Sequence, residues 1–133
     1  MEEITVHVET EINPTEDEAK VEKAVANLFS GASVEVKPSY KGSVLYATAE
    51  GREALVKFRN LLGSDRIRDA ARRVFFGGLK GNAVSFCLNK QVAFAGHVSF
   101  CEETAESPLG PIKVSIEYGE PRQLIEWLAS RST

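Results

Sequence analysis

Three stretches of this chain alternate apolar and polar residues with a period of two. Ile4, Val6 and Val8 alternate with Thr5, His7 and Glu9; Val84, Phe86 and Leu88 with Ser85, Cys87 and Asn89; Ile112, Val114 and Ile116 with Lys113, Ser115 and Glu117. In a strand, successive side chains point to opposite faces, so each stretch has one side for a core and one for water. Parallel sheets are buried on both faces and read instead as continuous apolar runs. The alternation therefore predicts a mainly antiparallel sheet covered on one face. Helices must supply the cover, which gives a two-layer α+β fold.

The rest of the chain supplies those helices. The first strand runs to about Ile12 and breaks at Asn13-Pro14. Thr15 and Glu18 have the spacing of a capping box, and Val21, Ala24, Val25 and Leu28 form one apolar helical face ending near Gly31. Val34 and Val36 mark a second strand, Tyr40-Lys41-Gly42 a turn, and Ser43 to Ala49 a third strand. Ala54, Leu55, Phe58, Leu61 and Leu62 keep helical spacing up to a Gly63 cap. Ser64 is placed to cap a further helix lined by Ile67, Ala70, Ala71, Val74 and Phe75, which Gly77-Gly78 and Gly81-Asn82 stop. Beyond the strand at Val84–Leu88, Asn89-Lys90 reads as a tight hairpin connection. Val92, Phe94, Val98 and Phe100 continue in the next strand, with Gly96 as a bulge or close approach. Ser107–Pro111 forms a turn into the last strand, and Pro121 opens a final helix carrying Leu124, Ile125, Trp127 and Leu128. The expected order is β-α-β-β-α-α-β-β-β-α, in one domain spanning residues 1–133.

A chain of 133 residues buries roughly two thirds of its unfolded surface, enough for a proper core. No apolar run approaches the ~20 residues of a membrane-spanning helix. The acidic, alternating N-terminus does not read as a signal peptide, so a cytoplasmic location and reduced thiols at Cys87 and Cys101 are expected. The net charge of −3 conceals a regional asymmetry. Residues 1–51 carry four Lys/Arg against ten Asp/Glu, residues 52–90 nine against three, and residues 91–133 three against six. A basic block thus lies inside an acidic protein, and its local sign says more about partners than the overall charge does.

Arg66, Arg68, Arg72 and Arg73 occupy the predicted helix on the side away from Ile67, Ala71 and Val74. Arg52, Lys57 and Arg59 precede them, and Lys80 and Lys90 follow. Arginine suits phosphate because its planar fork donates two parallel hydrogen bonds and stays charged. The cluster has the electrostatic footprint of a surface for a nucleic-acid backbone. The plainer reading is a solvated helix face, with Asp65, Asp69 and Glu53 as local partners and the Glu102, Glu103 and Glu106 loop as a further neutralising charge.

Other chemistries fail on spacing. Stacking of single-stranded RNA on the sheet needs exposed aromatics on adjacent central strands, and Lys41–Tyr46 lacks that pattern. His7, Cys87, His97 and Cys101 form a Cys₂His₂ set in composition only. In a regular strand His97 and Cys101 stand ~13 Å apart, at ~3.3 Å per residue, far beyond ligand distances of ~2.0–2.3 Å. The same separation opposes a Cys101–His97 nucleophile pair. The glycines of Phe75–Asn82 follow a helix and lack P-loop spacing. No catalytic constellation, metal site or cofactor motif is expected.

Ile67–Arg72, Leu88-Asn89-Lys90-Gln91, Val98-Ser99-Phe100 and Glu106-Ser107-Pro108-Leu109-Gly110-Pro111-Ile112 resemble the archaeal uncharacterised protein family two hundred and one of the UPF series. The similarity extends along the chain. Val92-Ala93 stands where that family often has Ala-Ala. The resemblance implies a fold like ribosomal protein L five and a grouping with predicted RNA-binding proteins, but no catalytic residues. It adds Asn89 and Gln91 to the candidates. The resulting expectation is a non-catalytic protein that binds structured RNA through Arg59, Arg66, Arg68, Arg72, Arg73, Lys80, Asn89, Lys90 and Gln91. The alternative is a protein–protein adaptor or self-associating domain, such as a homodimer, in which the basic helix meets the acidic loop.

Overall fold

The structure, a computed structural model, describes residues 3–101 and 110–130. Among these, seven strands form one antiparallel sheet: β1 (Thr5–Ile12), β2 (Ser33–Ser39), β3 (Gly42–Glu50), β4 (Leu79–Lys80), β5 (Ala83–Asn89), β6 (Phe100–Cys101) and β7 (Pro111–Glu117). Their order is β2-β3-β1-β7-β5-β4, with β6 paired to the other half of β5's outer edge. The helices are α1 (Glu18–Leu28), α2 (Val56–Ser64), α3 (Arg68–Gly77), α4 (Lys90–Phe94) and α5 (Pro121–Leu128), with a 3-10 turn at Arg52–Leu55.

The expected two-layer α+β architecture is borne out. Ile4, just before β1, and Val6, Val8, Thr10 and Ile12 within it are buried, as are Leu45, Ala47 and Ala49, Val84, Phe86 and Leu88, and Ile112, Val114 and Ile116. The register places them side by side: Val8 lies opposite both Ala47 and Val114, and Phe86 opposite Val114. The helices close over this face with Val21, Leu28, Phe58, Leu62, Phe75, Leu124 and Leu128. Phe58 joins the layers, with its ring 5.6 Å from Phe86 and 5.4 Å from Phe29. Buried Thr10 is satisfied by donating its hydroxyl hydrogen to Pro111 O at 3.1 Å.

The helix boundaries differ from the sequence expectation in instructive ways. Asp17, not Thr15, caps α1, its carboxylate accepting from Ala19 N. Gly63 and Ser64 lie inside α2, and α3 begins after Ile67 without a side-chain cap. The Asp65 carboxylate does not cap α3 and accepts instead from Val98 N at 2.9 Å. Between the two helices, Arg66 adopts φ +58, a left-handed conformation uncommon outside glycine, asparagine and aspartate.

The expected strand through Val92 and Phe94 is a helix, α4. Asn89 Oδ1 accepts from Val92 N at 3.0 Å and turns the chain at the end of β5. Asn27 of α1 donates to Ala93 O and Phe94 O at 3.0 and 3.1 Å, satisfying two carbonyls at the other end. A five-residue helix has little stability of its own, so these two asparagines and the burial of Ala93 decide the conformation. Gly96, at φ +87, turns the chain out of α4 and is not a strand bulge. The Ser107–Pro111 turn and the Glu102, Glu103 and Glu106 loop fall largely outside the described residues, which resume at Gly110.

Candidate nucleic-acid interface

Most of the candidate basic residues lie on or between the helices that cover one face of the sheet; Lys80 is the exception, standing in β4 opposite Ala83 and so on the open face with Ser85 and Cys87. The candidates divide into two groups. Arg59 and Arg72 are engaged within the fold. Their partner is the C-terminal end of α5, which has no basic residue in its own last turn. Arg59 Nε donates to Trp127 O at 2.8 Å, and its guanidinium carbon lies 5.2 Å from the Trp127 ring centroid. From the other flank Arg72 donates to Ala129 O at 3.1 Å and to Glu126 Oε1 at 2.7 Å. The last carbonyls of a helix have no intrahelical partner and carry the negative end of its dipole. Two arginines from α2 and α3 therefore serve as the C-terminal cap of α5. The Glu126 hydrogen bond raises the Arg72 pKa above its already high ordinary value, so the guanidinium stays charged at any physiological pH.

Two aromatic rings lie beside these cations. Trp127 has Arg52 at 6.0 Å and Arg59 at 5.2 Å, and Phe76 has Arg72 at 5.4 Å and Arg122 at 5.8 Å. Arg122, Phe76 and Trp127 were not among the sequence candidates. The signal that could have found Arg122 is Pro121 at the first turn of α5, which fixes where that helix starts and hence the side its flanks present. Lys57 stays exposed and reaches across to the end of α1, donating to Ala26 O at 2.8 Å.

The second group is solvent-facing. Arg66, Arg73 and Lys80 are exposed, Arg68 is half-buried, and among the described residues none of the four lies within ion-pair distance of a carboxylate. Gln91 is also exposed.

Lys90 and Asn89 do not form the hairpin tip that the sequence suggested. Lys90 is only 5 % exposed. Its ammonium donates to Glu11 O at 2.6 Å and to Glu16 Oε1 at 3.0 Å. Once Asn89 starts a helix, the next side chain points back toward β1 and α1 rather than into solvent. Burial works to raise the Glu16 pKa, but hydrogen bonds from Asn13 and Lys90 outweigh it and hold Glu16 below the ordinary carboxylate range. Lys90 is thus a buried structural cation, and Asn89 is a helix cap.

Asp65, expected as a local partner for the arginines, is also used elsewhere. Burial tends to raise its pKa, but the Val98 amide and the His97 ring, 3.0 Å away, lower it below the usual value. A carboxylate depressed in the folded state adds stability above its unfolded pKa, about 3.9, and loses that contribution as pH falls through the folded value. Asp65→Asn is expected to unfold more readily than wild type in urea at pH 7 and to show a shallower loss of stability between pH 4 and 2, about the range set by that pKa. Equal acid slopes for the two proteins would contradict this.

The opposite face of the sheet is open. His7, Glu9, Tyr46, Thr48, Ser85, Cys87, Lys113 and Ser115 line a broad groove of about 1240 Å³. Tyr46 stands directly opposite Glu9 and carries Lys37 at 5.6 Å from its ring. His7 Nε2 lies 3.1 Å from Glu117 Oε1. Among the described residues no cluster of three or more His, Cys, Asp or Glu is arranged to hold a metal, and no helix is long and apolar enough to cross a membrane.

Comparison with known proteins gives consistent results. A protein-family model described as RNA binding matches residues 5–118. A UPF0201 protein of Sulfurisphaera tokodaii is 43% identical over 125 residues, covering 94% of this chain and 86% of the relative. One from Pyrobaculum islandicum is 45% identical over 123 residues, covering 92% and 86%. The crystal structure of a UPF0201 protein from Methanococcus jannaschii superposes with a TM-score of 0.86 at 32% identity, covering 97% of this chain and 95% of that one. The sheet order, the helical cover and these similarities agree, and the chain belongs to the UPF0201 family, within the group of proteins described as RNA binding.

Proposed function

We propose that this protein is a non-catalytic binder of structured RNA, and that Arg66, Arg68, Arg73 and Lys80 contact the phosphate backbone. The observation that carries the reading is the division of the basic block. Arg59, Arg72 and Lys90 are held by carbonyls and carboxylates of the fold, whereas Arg66, Arg68, Arg73 and Lys80 reach solvent without a carboxylate partner among the described residues. The family description as RNA binding supports the same class of partner. Arg59 and Arg72 contribute positive potential from fixed positions, and Gln91 lies exposed at the start of α4. Asn89 and Lys90 are left out because their polar atoms are already engaged.

Contacts of this kind act through released counterions, so affinity falls steeply with salt. An Arg66→Ala/Arg73→Ala double variant is expected to keep its fold, bind a structured RNA at least ~10-fold more weakly, and flatten the dependence of log K on log salt by about 1–2. Circular dichroism checks the fold, and filter binding at several salt concentrations reads both effects. Affinity and salt slope unchanged from wild type would overturn the assignment.

A further inference from the structure

The open sheet face carries one row of side chains that RNA binding does not use. Glu9 of β1 stands opposite Lys113 of β7, Lys113 opposite Cys87 of β5, and Cys87 opposite Cys101 of β6. Residues opposite each other in a sheet point to the same side, and all four line the groove on that face. The two cysteines are therefore direct cross-strand neighbours, although 14 positions separate them in the sequence. Both are half-buried thiols.

The pairing type follows from the next rung. Asn89 N donates to Ser99 O at 2.8 Å, so Asn89 and Ser99 are a hydrogen-bonded pair. Antiparallel pairs alternate in type, which makes Leu88–Phe100 the non-hydrogen-bonded pair and Cys87–Cys101 hydrogen-bonded again. Such pairs hold their Cα atoms about 5.5 Å apart, close to the commonest separation of residues joined by a disulfide. Bonded side chains need Cβ atoms about 3.8 Å apart, whereas a hydrogen-bonded pair, the wider of the two types, holds them nearer ~5.5 Å, so the strands must close by more than an ångström. β6 can supply that movement, because it is two residues long and lies at the sheet edge with β5 as its partner.

From this register we propose that Cys87 and Cys101 are a reversible dithiol–disulfide pair that takes electrons to and from a small-molecule disulfide. The Cys87 thiolate, with the Lys113 position beside it on the groove face, attacks one sulfur of the small disulfide and expels the other as a thiolate. The Cys101 thiolate then attacks the Cys87 sulfur of the mixed disulfide and expels the second small thiolate. The protein loses two protons and two electrons; the small disulfide gains both. The product ties β6 covalently to β5 and fixes the edge of the sheet.

Lysines flank the two cysteines so that trypsin separates them, Cys87 in Gly81–Lys90 and Cys101 in Gln91–Lys113. The full-length folded protein is treated with oxidised glutathione, and remaining thiols are alkylated under denaturing conditions. The expected product is lighter than the reduced protein by two hydrogens, resists alkylation, and yields one linked peptide that dithiothreitol splits. Cys101→Ser is expected to stop at the glutathione adduct on Cys87, and amide exchange at Phe100 and Cys101 is expected to slow in the oxidised wild type. Two alkylatable thiols after prolonged exposure, a stable bis-glutathione adduct, or cross-links solely between chains would each overturn the pairing.

Discussion

Gly78→Ala is expected to destabilise the protein by about 3 kcal/mol, the upper end of the usual cost of inserting one carbon into a filled site. A Cβ built on Gly78 would lie 1.9 Å from Ser85 O and 3.0 Å from Ser85 C. The obstacle is backbone, not a flexible side chain. It cannot rotate away, and Ser85 N also donates to Gly78 O at 3.0 Å. Relief requires β5 to retreat from the end of α3, which disturbs Val84 and Phe86 in the core. The neighbouring Gly77→Ala serves as the matched control. Gly77 is the last residue of α3, has no positive φ, and meets nothing within 4 Å of an added Cβ. In a helix, alanine is favoured over glycine by roughly 0.5–1 kcal/mol, so Gly77→Ala is expected to be neutral or stabilising. Urea unfolding of both variants measures the contrast. Equal effects at the two adjacent glycines would show that conformational freedom, not the approach to Ser85, sets the requirement.

Lys90→Met is expected to cost roughly 3–5 kcal/mol, the range for removing one partner of a buried ion pair. Methionine is close to lysine in length, so the loss comes from charge rather than volume. Glu16, with its side chain 10 % exposed, would keep a carboxylate without its cation, and Glu11 O would lose its donor. The pH dependence distinguishes this cause. In the wild type Glu16 is depressed in the folded state, so its contribution is present above its unfolded pKa and is lost as pH falls through the folded value. In Lys90→Met, burial acts against ionisation without the ammonium to oppose it, and protonating Glu16 relieves the penalty. The gap between variant and wild type is therefore expected to narrow between neutral pH and about pH 4, the ordinary carboxylate range. A gap constant over that interval, measured by urea midpoints, would mean that the loss arises from packing alone.

What the sequence made legible was the sheet. β1, β5 and β7 alternate cleanly because each has one covered and one open face, and that pattern is local. α4 was hidden because its conformation depends on Asn27, 66 residues from the carbonyl it satisfies at Ala93. Val92 and Phe94 happen to keep strand parity, which favoured the wrong element. The basic block was legible as charge but not as roles. Arg59 is fixed by Trp127 O at a separation of 68 residues, Arg72 by Ala129 O at 57, and Lys90 by Glu16 at 74. A count of cations along the chain cannot tell a phosphate contact from a helix cap, because both use the same donors. Strand spacing along the chain separates Cys101 from His97, and the adjacency of Cys87 and Cys101 exists only across the β5–β6 register.

The position of β7 carries a consequence for how the protein is made. It lies between β1 and β5, with Thr5 opposite Glu117 on one side and Ala83 opposite the same Glu117 on the other. A growing chain can zip β2, β3 and β1 into a three-stranded sheet early, but one edge of β1 then stays open until residue 117 has left the ribosome. Closing that gap joins segments more than a hundred residues apart, and such non-local pairings are the slow ones. The chain's first strand therefore waits as an exposed edge throughout most of synthesis, and exposed edges invite pairing with other chains. Its polar side bears His7, Glu9 and Glu11, two of them acidic, so two nascent copies meeting edge to edge would bring like charges together. The acidity of the N-terminal third thereby protects the half-made protein from its own kind.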